Sequence, residues 1–122
     1  PSPKDKASYL KENYIPLFEK KVLNIINENT KILDGVANHV YTVLSIIITE
    51  TAGNAETFGL FLDPSAGGTD YEIISLATAL GADQTFVFND RLVLHGTDEL
   101  NFKAGGTCDI DIVISYVDQD WT

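Results

Sequence analysis

The sequence predicts a mainly β protein: an antiparallel sandwich or jelly roll of about 7–8 strands behind an N-terminal α-helical arm. Three observations predict it. From residue 31 onward, apolar residues recur at alternate positions in short runs, the period of a pleated strand. Clusters of Gly, Pro, Asn and Asp separate those runs at intervals near ten residues, as in sandwiches and barrels. Over residues 1–30 the apolar spacing is helical instead.

The arm is read as two helices. Ser2 can cap the first, with Pro3 at its first helical position and Asp5 three residues after the cap. Lys6, Ala7, Leu10, Lys11 and Glu12 favour its continuation. Pro16 disfavours helical geometry at Ile15 and opens a second helix over 16–28. There Phe18, Val22, Ile25 and Ile26 form one stripe, with Leu23 at its edge. Such a stripe must be buried against something, which makes these four residues candidate partner-binding positions. The expected division is a helical arm at 1–30 and a β-sandwich domain at 31–122.

Within the sandwich, 32–36 can add a short strand and 40–50 forms a long one. Alternation sets Tyr41, Val43 and Ile47 on one face of the long strand, and Leu44, Ile46 and Ile48 on the other. Phe58, Leu60 and Leu62 alternate next, then Tyr71, Ile73, Ser75 and Ala77. Short runs follow around 86–88, 91–95 and 99–103. In the last strand Cys108, Ile110, Ile112, Ile114 and Tyr116 point inward, while Asp109, Asp111, Val113, Ser115 and Val117 form a largely wet face.

Charge is unevenly placed. Residues 1–31 carry six cations against four acids, whereas the other 91 carry two against 14, within a net charge of −10. An acidic body repels phosphate backbones, so nucleic acid is not an expected partner. No run reaches the ~18 apolar residues that span a bilayer, so no membrane partner is expected either. The start lacks the apolar core of a signal peptide, which points to synthesis in a cytoplasm. A lone cysteine cannot form an internal disulfide, and Cys108 reads as a small buried hydrophobe.

The motifs of nucleotide binding, of serine hydrolases and of zinc sites are missing, and no catalytic residue or cofactor is expected. His39 and His95 read as polar residues at strand ends rather than ligands. Asp109 and Asp111 on one face, with Asp118 and Asp120 beyond, could hold Ca²⁺ or act as a charged face that blocks edge pairing; the sequence leaves both open. Paired carboxylates could also work on a sugar, given a cleft lined with aromatics. Trp121 is instead taken as a docking anchor on an acidic tail.

The body resembles a group of small structural proteins of tailed bacteriophages. The resemblance is carried by Val40–Val43, by the run Thr57–Leu62 leading into Ala66-Gly67-Gly68, by Arg91–Leu100 and by Ile112–Tyr116. It covers residues 32–118 and implies a virion component made in many copies in a host cytoplasm. On that resemblance the partners are other virion proteins and further copies of the chain, with a trimer by analogy. The implied role is capsid decoration, neck or tail; the expected docking residues, Phe18, Val22, Ile25 and Ile26 of the arm and Trp121, come from the apolar stripe and the tail and lie outside the shared pattern. The alternative is a carbohydrate- or cell-surface-binding sandwich module.

Overall fold

The computed structural model describes residues 16–121 and arranges them as nine strands in two antiparallel sheets. The strands are β1 (Leu17–Ile25), β2 (Asn29–Asp34), β3 (His39–Glu50), β4 (Glu56–Asp63), β5 (Tyr71–Leu80), β6 (Thr85–Phe88), β7 (Leu92–His95), β8 (Glu99–Ala104) and β9 (Ile110–Asp120). The first sheet runs β1-β9-β3-β6, with β7 lying in line with β6 along the same edge of β3. The second runs β2-β8-β4-β5. The chain changes sheet at every connection except β4–β5 and β6–β7.

The helix expected over 16–28 does not form. Residues 17–25 are a strand, paired with β9 from Leu17↔Asp118 to Ile25↔Ile110. Ile25 belongs to the helical stripe, but with Leu23 it also has strand spacing. In β1 these two stand opposite Ile110 and Ile112, with Ile25 in the core and Leu23 against it. An isolated helix of this length is marginal in water, whereas the ladder to β9 satisfies one edge of the backbone and buries Ile25. Residues 1–15, the rest of the expected arm, lie outside the described residues.

The alternation read in β3 is broken once. A register shift between Val43 and Ser45 sets Leu44 out as a bulge. One extra residue reverses the parity of everything beyond it. Tyr41, Val43, Ile46 and Ile48 therefore all enter the core, and Ile47 turns outward.

The core fills the space between the sheets. Phe58 and Phe102 stack with centroids 5.8 Å apart, and Phe86 meets Phe58 edge-on at 5.1 Å. Ile110, Ile112 and Ile114 of β9 face them from the first sheet. Gly59 lets β5 close over β4: a Cβ there would stand 2.7 Å from the Ile74 carbonyl oxygen and 2.8 Å from the Leu76 nitrogen.

Three buried carboxylates tie the connecting loops. Glu50 accepts the backbone N–H groups of Ala52 (2.8 Å), Asn54 (2.9 Å) and Asp83 (3.1 Å), joining the β3–β4 and β5–β6 loops. Asp98 accepts from Ser65 (2.8 Å) and His95 (3.1 Å) at the opposite end, and Asp63 accepts from Gly68 (3.0 Å). Among the described residues no buried side-chain polar atom lacks a partner.

Candidate functional site

Strand register decides which side chains share a face, because residues directly opposite each other in a ladder point the same way. On the outside of the first sheet one row reads Val22, Val113, Ile47, Val87 across β1, β9, β3 and β6. A second row, four residues along, reads Phe18, Val117, Thr42, Val93 across β1, β9, β3 and β7. Phe18 is 80% exposed, Val22 65%, Val87 53%, Val93 51% and Ile47 40%. Between the rows lie Lys20, Ser115 and Ser45. At one end a polar row of Asn24, Asp111, Thr49 and Thr85 closes the patch, with Asn24 donating to Asp111 (2.8 Å) and the two threonine hydroxyls bonded at 2.9 Å.

Among the described residues, the strand register places Lys20 and Asp111 on this face, with Asp109 beside Asp111 on the shared Asn24 amide and His95 at the far corner. The acids that give the chain its net charge of −10 lie mostly elsewhere. These exposed β-branched residues form an apolar patch in straight rows across the sheet.

The structure distributes the five expected docking residues among different places. Phe18 and Val22 lie on the apolar face, on neighbouring rows. Ile25 is 1% exposed and belongs to the protein's own core, so it is not a docking residue. Ile26 is exposed just beyond β1. Trp121 is half exposed beyond the end of β9, where its backbone N–H donates to the Asn38 carbonyl at 2.8 Å. Sequence reasoning missed Ile47, Val87 and Val93 as surface residues. The available signal was the run Ile46-Ile47-Ile48, which is apolar on both faces of its strand.

The acidic residues do not form one cluster. Asp109 and Asp111 sit at the start of β9, Asp118 and Asp120 at its end. Asn24 donates to Asp109 (2.7 Å), and the Thr51 hydroxyl donates to it at 2.9 Å. These bonds, Asn24's first, hold the Asp109 carboxyl below its ordinary pKa. Asp118 is 2.8 Å from His39 Nδ1, and Asp120 is 3.5 Å from His39 Nε2. Among the described residues no group of three His, Cys, Asp or Glu could hold a metal ion.

Cys108 is buried and its thiol lies 3.4 Å from the Ile25 carbonyl, which it faces as donor. Burial, then the charges of Glu56, Asp109 and Glu50, push its pKa up, which is the reverse of what a nucleophile needs. The second sheet carries a shallow polar cleft of about 280 Å³ lined by Asn29, Thr30, Lys31, Asp70, Asn101 and Lys103. Lys103 binds Asp70 at 2.8 Å and, with Asn101, lowers the Asp70 pKa; Lys31 binds Glu99 at 2.6 Å.

Fold and surface together define a two-sheet antiparallel β-sandwich with one apolar outer face. No family model matches the sequence, and no curated protein matches it. In structure it is similar to a chain of the T13 IBDV viral particle, with a TM-score of 0.56 at 9% identity over 87% of this chain and 31% of that one. It is also similar to a Bacillus endospore appendage protein of a disulfide-linked pilus family, with a TM-score of 0.53 at 9% identity over 89% of this chain and 91% of that one. A third likeness is to the Drosophila NLP core, a structure bearing on pentamer formation and histone binding, with a TM-score of 0.52 at 13% identity over 86% and 98%. The chain spans under a third of the viral chain's length. At these identities the likenesses define a shared fold.

Proposed function

We propose that this chain is a non-enzymatic structural subunit of a virion, present in many copies and held in the particle by surface contact. The observation that carries the reading is the apolar outer face of the first sheet, set on a two-sheet sandwich ordered β1-β9-β3-β6 and β2-β8-β4-β5, an order we read as a jelly roll. Jelly rolls build viral capsids, though they also serve lectins and cupins, so the fold needs the surface beside it. The likeness to the viral-particle chain supports the same reading. The resemblance of residues 40–43, 57–68, 91–100 and 112–116 to tailed-phage structural proteins narrows it to capsid decoration, neck or tail, in a particle assembled from subunits made in the host cytoplasm. Docking runs through Phe18 and Val22 as part of a sheet face. Repetition of one modest contact around a symmetric particle multiplies its strength through effective concentration.

The test is to purify particles produced by the genome that encodes this chain and to probe them by mass spectrometry and immunogold labelling. The chain is expected at many copies per particle, and its absence from washed particles refutes the reading. A second reading, a carbohydrate-binding module, has the polar cleft at Asp70, Asn101 and Lys103 in its favour. A glycan array separates the two, since a virion scaffold gives no saturable signal that Asp70→Ala and Asn101→Ala abolish.

A further inference from the structure

We propose that the outer face of the first sheet packs against the same face of a second copy, with a twofold axis running along the row Val22, Val113, Ile47, Val87. This rests on the structural-subunit reading above and adds to it the partner and the contact.

The first argument is charge. The described residues carry 16 acids against five cations, so two bodies repel wherever acids face each other. A basic partner would be recognised through those acids. The valine rows themselves carry no charge, and the face beside them offers Lys20 on one side and Asp111 with Asp109 on the other, so what covers the rows brings no block of compensating cations. A like-charged body fits that description, and the second copy is such a body.

The second argument is shape. The valine row is perpendicular to four strands and β-branched at every position. An axis along it lays the two sheets face to face with their strands aligned, which is how twisted sheets pack. Each row residue then meets its own counterpart, as an isologous contact requires. The same operation exchanges the row containing Lys20 with the row containing Asn24 and Asp111. Lys20 of each copy therefore arrives over the Asn24–Asp111 pair of the other. Lys20 and Asp111 then form two symmetric ion pairs, with Asp109 beside Asp111 on the shared Asn24 amide.

The third argument is area. Four strands about 4.8 Å apart, and rows about 13 Å apart along them, give with side-chain margins roughly 400 Å² on each copy. The pair buries roughly 800–1,000 Å², the lower end of specific interfaces. The contact is therefore weak alone, with a dissociation constant of roughly micromolar order, and becomes firm when repeated.

The experiment is sedimentation equilibrium on the full chain at several salt concentrations. The expected result is a monomer–dimer equilibrium that tightens as salt rises from about 10 mM to about 150 mM, because screening reduces body–body repulsion. Ile47→Glu should leave a monomer with unchanged circular dichroism, and Val87→Lys on the edge strand serves if that variant fails to fold. Lys20→Glu should weaken the dimer several-fold, and Lys20→Glu with Asp111→Lys should restore it. A wild-type chain that stays monomeric to about 1 mM overturns the self-contact. So does a dimer indifferent to both Ile47→Glu and Val87→Lys. A chain that is monomeric in solution yet loses particle incorporation on Ile47→Glu assigns the face to a different partner and keeps the structural reading. A dimer that is absent from particles keeps the self-contact and removes the structural reading.

Discussion

Ile25→Ala separates two accounts of residues 17–25. If they formed a docking helix, truncating Ile25 would weaken assembly and leave the folded body untouched. In the structure Ile25 is 1% exposed, opposite Ile110, with its carbonyl facing the Cys108 thiol. The substitution removes three buried carbons, a transfer loss of roughly 2.4 kcal/mol at about 0.8 kcal/mol each. The space left between the sheets raises the cost to about 3–4 kcal/mol, inside the range for buried Ile→Ala. That is a large share of a total stability of about 5–15 kcal/mol. In a domain of this size it lowers the Tm by roughly 10–20 °C. Val22→Ala, three residues away and outward-facing, should cost less than about 0.5 kcal/mol. Urea unfolding of both variants, followed by far-UV circular dichroism, gives the comparison. If Ile25→Ala unfolds within about 0.5 kcal/mol of Val22→Ala, β1 is not part of the core and the strand assignment fails.

Three further outcomes follow from the same packing. Gly59→Ala drives a Cβ into the β5 backbone at Ile74 and Leu76, and should cost about 1–3 kcal/mol in a denaturant titration. Cys108 should be silent to Ellman's reagent in the native protein and react with one equivalent after denaturation, since its thiol is buried and its pKa raised. Stability should fall at both pH extremes. Burial pushes the Glu50 carboxyl up, but the backbone N–H groups of Asp83, Ala52, Asn54 and Gly53 more than offset it, and Asp70 and Asp109 are likewise lowered. Their contribution is complete above the unfolded carboxylate value of about 4 and is lost as pH falls through the folded values, so Tm should drop below that pH and Asp70→Asn should flatten the drop. Tyr41, Tyr116 and Cys108 are raised by burial, so their contribution is complete below the unfolded values and is lost as pH rises above about 8.5–10.

The sandwich was legible where a strand has one dry and one wet face. Ile110, Ile112 and Ile114 alternate with Asp111, Val113 and Ser115, and the structure buries the set the pattern indicates. The pattern is also informative in Phe58 and Leu60, both fully buried. It failed where two periods fit the same residues. Phe18, Val22, Ile25 and Ile26 satisfy a helix, while Leu23 and Ile25 satisfy a strand, and only pairing with β9, over 80 residues away, chooses between them. The bulge at Leu44 was invisible for a related reason: it is a property of the ladder between β3 and β9, and it alone turns Ile47 to the surface. The candidate site inherits both failures. Phe18 and Val22 were recognised as sticky, but the residues that complete their face come from β3, β6, β7 and β9, which a linear reading does not bring together.

The central claim is that the valine-lined face of the first sheet is covered when the protein is at work. Carbene footprinting of the free chain and of the assembled particle, read residue by residue by mass spectrometry, tests it most directly. Val22, Ile47, Val87 and Val113 should be labelled in the free monomer and protected in the particle, while Tyr71 and Leu76 of β5 keep their labelling or change independently. Equal labelling of the four row residues in both states would contradict the account.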